Sequence, residues 1–113
     1  MHEMSICDGI LKSAVEAAEA EGATRINRVE VTIGELTQIV EDALQFAFEV
    51  LRTDTIATDA TLDVTVLEAR SRCMDCSAEF RHDRYEVKCP ECSSYLCSLL
   101  QGRELRIDSI DVD

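Results

Sequence analysis

The sequence contains no tryptophan, and aromatic residues make up only 4% of its 113 positions, so any core it builds is aliphatic. Basic side chains are scarce as well, 11 against 23 acidic ones, for a formal net charge of −12. Charge of that size favours solubility and repels phosphate backbones, which makes nucleic acid a poor candidate partner. No apolar run approaches the roughly 18 residues that a membrane-spanning helix needs. The opening Met1-His2-Glu3-Met4-Ser5 lacks a basic stretch followed by an apolar one, so no signal peptide and a cytoplasmic location are expected. Pro90 is the sole proline, and there is no internal repeat, low-complexity tract or Pro/Gly/Ser-rich linker. What is present in quantity is hydrophobic residue, 46%, too much for a disordered acidic tail. The length suits one domain, or one small domain carrying an accessory module.

Charge and cysteine divide the chain unevenly. Residues 1–69 carry 4 basic and 14 acidic side chains, whereas residues 70–106 carry 7 and 6. Five of the six cysteines, Cys73, Cys76, Cys89, Cys92 and Cys97, fall in that second stretch. A shift in composition that coincides with a cysteine cluster marks a module.

Hydrophobic periodicity predicts a helix over 5–21, with Ile6, Ile10, Ala14 and Ala18 on one face, Ser5 as N-cap and Gly22 as its stop. Val29, Val31 and Ile33 alternate with polar residues and predict a strand over 28–33 ended by Gly34. A second helix is expected over 41–52, its early Glu41 and Asp42 suited to the positive end of the helix dipole. A second long strand is expected over 61–69, with Leu62, Val64 and Val66 on one face. Strand pattern resumes at Leu105 and Ile107. It continues one residue out of phase at Ile110 and Val112, which predicts a bulge near Ser109. The resulting expectation is an α+β fold: a small two-layer domain of 1–70 plus 103–113, with a mixed or antiparallel sheet and two helices. A four-cysteine zinc ribbon, residues 71–102, would be inserted between two neighbouring strands.

Cys73-Met74-Asp75-Cys76 and Cys89-Pro90-Glu91-Cys92 are two Cys-x2-Cys pairs. Each pair can turn two thiolates toward one ion, and together they complete the tetrahedral four-sulfur shell of structural zinc. A closed shell leaves no position for substrate, so this zinc is expected to be structural rather than catalytic. A short hairpin of 79–81 and 85–88 would bring the pairs together. A disulfide framework is the competing reading, but it belongs to oxidising compartments. A Cys-x-x-Cys redox centre would not need two matched pairs. Cys7 and Cys97 read as buried small hydrophobes, and His82 as a solvated side chain.

At the other end, His2 places an imidazole beside the terminal amine, its own amide and the amide of Glu3. Four nitrogens in a plane suit Ni²⁺ or Cu²⁺. Met1-His2-Glu3-Met4-Ser5-Ile6, Val31-Thr32-Ile33-Gly34-Glu35-Leu36, Leu44-Gln45-Phe46-Ala47-Phe48-Glu49 and the paired cysteine module together resemble the HypA/HybF family of nickel metallochaperones for [NiFe]-hydrogenase maturation. The likeness runs essentially end to end.

The resemblance implies a nickel site at the N-terminus, with His2 giving imidazole and backbone nitrogen and Glu3 giving backbone nitrogen and a supporting side chain. It implies structural zinc on Cys73, Cys76, Cys89 and Cys92. As partners it implies a HypB-type GTPase and the hydrogenase large-subunit precursor, with urease maturation served by some members. It also implies a carrier and not an enzyme, and the sequence offers no nucleophile–base pair or phosphate-binding glycine loop. One departure stands out: the family commonly has an aspartate just before the second helix, where this chain has Val40. Either Glu41 reaches in from the next position, or nitrogen alone completes the site, or Glu41 and Asp42 simply favour the helix N-terminus. The rival to a nickel carrier is a zinc-ribbon module that docks on protein or RNA.

Overall fold

A computed structural model describes residues 2–83 and 87–113. In chain order the elements are α1 (Glu3–Ala20), β1 (Ile26–Gly34), a single 3₁₀ turn (Glu35–Thr37), α2 (Glu41–Leu51), β2 (Thr61–Leu67), β3 (Arg70–Cys73), β4 (Glu79–Arg81), β5 (Cys97–Gln101) and β6 (Leu105–Val112). The strands form two three-stranded sheets, ordered β2-β1-β6 and β4-β3-β5. The architecture is α+β, with two compact units. One comprises residues 1–32, 39–65 and 106–113, the other residues 33–38 and 66–105.

The first unit is held by an aliphatic core, as a chain without tryptophan requires. Cys7, Ile10, Leu11, Ala14 and Ala18 of α1 meet Leu44, Ala47 and Phe48 of α2 and Ile26, Val29 and Val31 of β1. Small residues at positions 14, 18 and 47 let the two helices approach closely. Ile107, Ile110 and Val112 of β6 all pack against this core. Since Ile107 and Ile110 are three apart, the core-facing side of β6 changes by one residue between them, the phase change visible in the sequence.

Two sequence expectations need correcting here. The first helix begins at Glu3, with His2 in the N-cap position and no side-chain capping bond, so Ser5 is not its cap. The reason lies outside the helix: the Glu3 carboxylate accepts the Val40 amide at 3.0 Å, tying the first turn to the entry of α2. Val66 is exposed rather than on the core face of β2, and it lies one residue past the 39–65 segment of the first unit.

In the second unit, β3 pairs antiparallel with both β4 and β5. Strand β5 escaped prediction, since Cys-Ser-Leu-Leu-Gln does not alternate. Of the expected 79–81/85–88 hairpin, the first arm forms β4, which pairs with β3; of the second arm, residues 85 and 86 lie outside the described residues, and 87 and 88 are not in a strand. The 3₁₀ turn is fastened to this sheet by Glu35, whose carboxylate accepts the Arg81 guanidinium at 2.6 Å and the Ala69 amide at 3.1 Å. Gly34 lies against Gly102: a Cβ added at Gly34 would sit 2.1 Å from the Gly102 carbonyl carbon. Gly102 itself has φ +132, which an L side chain rarely adopts.

Candidate metal centres

The two cysteine pairs fold as near copies of one turn. Cys73 accepts the Ser77 amide at 2.9 Å and donates its own amide to Ala78 at 2.8 Å; Cys89 does the same with Ser93 and Ser94, at 2.9 and 2.8 Å. To close these turns Ser77 and Ser93 take left-handed φ values of 66° and 63°. The repeated Cys-x-x-Cys-Ser of residues 73–77 and 89–93 is the sequence signal for this pair of turns.

The four sulfurs converge. All lie within 4.8 Å of one another, with Cys73 to Cys92 and Cys76 to Cys89 at 3.5 Å. Around a zinc ion with bonds of about 2.3 Å, tetrahedral sulfurs stand about 3.8 Å apart, so the cluster could hold zinc. Cys73 and Cys89 are buried and Cys76 and Cys92 exposed, with Phe80, Ala78 and Cys97 packed beside them. Without a cation so many thiols cannot ionise together. The Cys76 amide, with that of Asp75, draws Cys73 down to about 6. At Cys92 the Ser94 amide pulls downward but is outweighed by the contact with Cys73 and by burial, and the thiol is pushed up to about 12. A divalent ion reverses that opposition, which is the electrostatic reason such a cluster binds one.

His2 is exposed, and the first α1 amide bond runs from Ile6 to its carbonyl at 3.0 Å, so the helical ladder does not claim the His2 amide. Glu3 is 7% exposed. Its carboxyl is held down at about 2, chiefly by the Val40 amide. Glu41 and Asp42 are exposed in the first turn of α2, beside Val40. Cys7 is fully buried, and burial first, then Asp8, pushes its thiol up to about 11. His82 is more engaged than expected: Nδ1 donates to the Asp83 carbonyl at 2.7 Å, and Nε2 lies 2.7 Å from the Ser71 hydroxyl. Among the described residues the four cysteines are the one group of three or more potential metal ligands, and His82 is outside it.

An α+β unit continuous with a four-cysteine unit, with a histidine at position two, defines a small metal-handling protein of two units. The comparisons make this specific. A family model described as "Hydrogenase/urease nickel incorporation, metallochaperone, hypA" matches residues 1–112. Hydrogenase maturation factor HypA of Chlorobium luteolum is 42% identical over all of this chain and 97% of its own length. The same factor of Dehalococcoides mccartyi is 38% identical, over 95% of its length. Among solved structures, the Ni metallochaperone HypA from Helicobacter pylori is 31% identical, with a TM-score of 0.69 over 99% of this chain and 97% of that one. The chain belongs to the HypA family of nickel metallochaperones, which serve nickel incorporation into hydrogenase and urease. That membership implies partners in hydrogenase maturation. Among the described residues no helix is long and apolar enough to cross a membrane.

Proposed function

We propose that this protein binds Ni²⁺ at its N-terminus and hands it to the [NiFe]-hydrogenase large-subunit precursor. The ligands are the His2 imidazole and backbone nitrogens of His2 and Glu3, and the Glu3 side chain supports them. Cys73, Cys76, Cys89 and Cys92 hold structural zinc. Residues 1–70 with 103–113 serve the nickel site, and residues 71–102 serve the zinc site. The protein is a carrier and not an enzyme, works in the cytoplasm, and cooperates with a HypB-type GTPase; urease maturation proteins are further recipients. Neither membrane nor nucleic acid is among its partners.

The observation that carries the nickel reading is the Glu3–Val40 hydrogen bond, which holds the first turn of α1 while the imidazole beside it stays exposed and takes no part in capping. A carrier needs ligands that are ordered enough to bind and accessible enough to be stripped by a recipient. Nitrogens next to a chain terminus meet both demands. Amide nitrogens bind only after losing protons, so affinity rises with pH.

Calorimetric titration of the zinc-loaded protein with Ni²⁺ tests this. His2→Ala abolishes tight nickel binding while zinc stays at one per chain. Unchanged nickel affinity in that variant rejects the terminal site.

A further inference from the structure

We propose that Cys73 and Cys97 are an oxidation site: peroxide joins them in a reversible disulfide, which withdraws Cys73 from the zinc cluster. The proposal rests on the four-cysteine reading above and adds to it a role for the fifth cysteine of the same unit.

The geometry is that of two strands. In the β3–β5 pairing Cys73 stands directly opposite Cys97. The amide of Met74 donates to the Leu96 carbonyl at 2.8 Å, whereas the Cys73 amide goes to Ala78 and the Cys97 amide to Tyr95. Neither cysteine therefore exchanges main-chain bonds with the other, and they form a non-hydrogen-bonded antiparallel pair. In such pairs the Cα atoms are about 4.5 Å apart and the side chains rise from one face of the sheet. Disulfides span Cα separations of roughly 4.4–6.8 Å, so the bridge needs no large movement of either strand.

The surroundings agree. Cys97 packs in the cluster formed by Cys73, Cys89 and Phe80, yet is not one of the four sulfurs that converge. It can give up its thiol without removing a ligand. It also lines an open cavity of about 570 Å³ with Ser71, His82 and Tyr95, through which a small oxidant reaches it.

Hydrogen peroxide is the oxidant. The Cys73 sulfur, a thiolate while it is a ligand, bonds to one peroxide oxygen as the O–O bond breaks, and the departing hydroxide takes a proton from solvent. The Cys97 sulfur then displaces hydroxide from the resulting sulfenic acid, and its own proton turns that hydroxide into water. Two electrons leave the pair of sulfurs, one S–S bond forms, and two waters are released. Three sulfurs remain for the metal, and affinity falls.

The test treats the zinc-loaded full-length protein with hydrogen peroxide and follows zinc release with a chromogenic chelator, intact mass, and peptide mapping after alkylation without reduction. The expected product is lighter by two hydrogens, maps to a Cys73–Cys97 bridge, and regains its zinc after dithiothreitol and added zinc. Cys97→Ser and Cys97→Ala still bind one zinc per chain but form the two-hydrogen-lighter product at least about tenfold more slowly, for want of the resolving thiol. A bridge mapped between two of the four clustered cysteines overturns the proposal. So does a Cys97 variant that reacts as fast as wild type. Zinc content before oxidation is a separate readout: its absence rejects the four-cysteine site, while mapping on the metal-free chain still decides the pairing.

Discussion

The carboxylate of Glu3 accepts the backbone amide of Val40 at 3.0 Å, linking two residues 37 positions apart in sequence. This bond ties down the first turn of α1 and occupies an amide at the entry of α2, where helix geometry leaves donors without intrahelical acceptors. Because the donor is main chain, the bond does not depend on which side chain stands at position 40, proline excepted. Valine at this position therefore keeps the tether as well as an acidic residue would.

Glu3→Ala removes the acceptor, and Glu3→Gln keeps a carbonyl oxygen in its place. Amide exchange at Val40 accelerates on the order of tenfold or more in the alanine variant and much less in glutamine. Nickel affinity follows the same order, wild type above glutamine above alanine. Equal protection of Val40 in wild type and Glu3→Ala would show that the carboxylate does not hold this turn.

Gly34 is required by contact and not by its dihedral angles. Its φ of −92 suits any residue, but a Cβ would fall 2.1 Å from the Gly102 carbonyl carbon and 2.2 Å from its oxygen. Main chain cannot swing aside as a side chain can. Gly34→Ala therefore destabilises the protein by about 1–3 kcal/mol, the usual cost of overpacking, measured by thermal or urea denaturation. An alanine variant as stable as wild type refutes the close approach.

How much of this was legible in advance depends on whether a feature is carried by side chains. The four cysteines were readable because ligand chemistry fixes both residue type and spacing. Both helices and the strands of the first unit were readable because each buries one face, leaving a period in residues such as Ile10, Leu11 and Ala14 or Val29 and Val31. The start of α1 was misplaced because its anchor is the Val40 amide, which has no letter in the sequence. Strand β5 was missed because Leu99 and Leu100 are adjacent and both exposed, so no alternation marks it. Gly34 and Gly102 were visible as punctuation, but that each makes room for the other is a fact of tertiary structure alone.

The 3₁₀ turn after β1 gives a pH dependence with a definite sign. Arg81 first, then the Ala69 amide, holds the Glu35 carboxyl below its ordinary value of 4.5. A carboxyl lowered in the folded state stabilises it fully above the unfolded value. That contribution is lost as pH falls from about 4.5 through the lower folded value. Glu35→Gln should flatten the acid side of the stability–pH curve within that window while changing little above it in slope. A variant whose acid limb runs parallel to wild type below pH 4.5 would assign that limb to other carboxylates.

Cysteine substitutions separate ligands from core. Cys73→Ser takes one sulfur from a group whose members all lie within 4.8 Å, so zinc affinity should drop by more than the roughly 10–100-fold that loss of a supporting hydrogen bond costs at a metal site. The second unit then loses protection from proteolysis, since so few residues without metal bury little apolar surface. Cys7→Ala keeps its zinc and costs only about 1 kcal/mol, the ordinary price of a trimmed core side chain. The same contrast appears in thiol labelling of the metal-free chain: Cys7, fully buried with its thiol pushed up to about 11, is alkylated last. Cys73 reacts earlier, while its turn is still formed, because the Cys76 and Asp75 amides draw its thiol down to about 6 and leave it largely thiolate at neutral pH. Metal analysis that finds one zinc per chain in Cys73→Ser and none in Cys7→Ala would reverse the assignment.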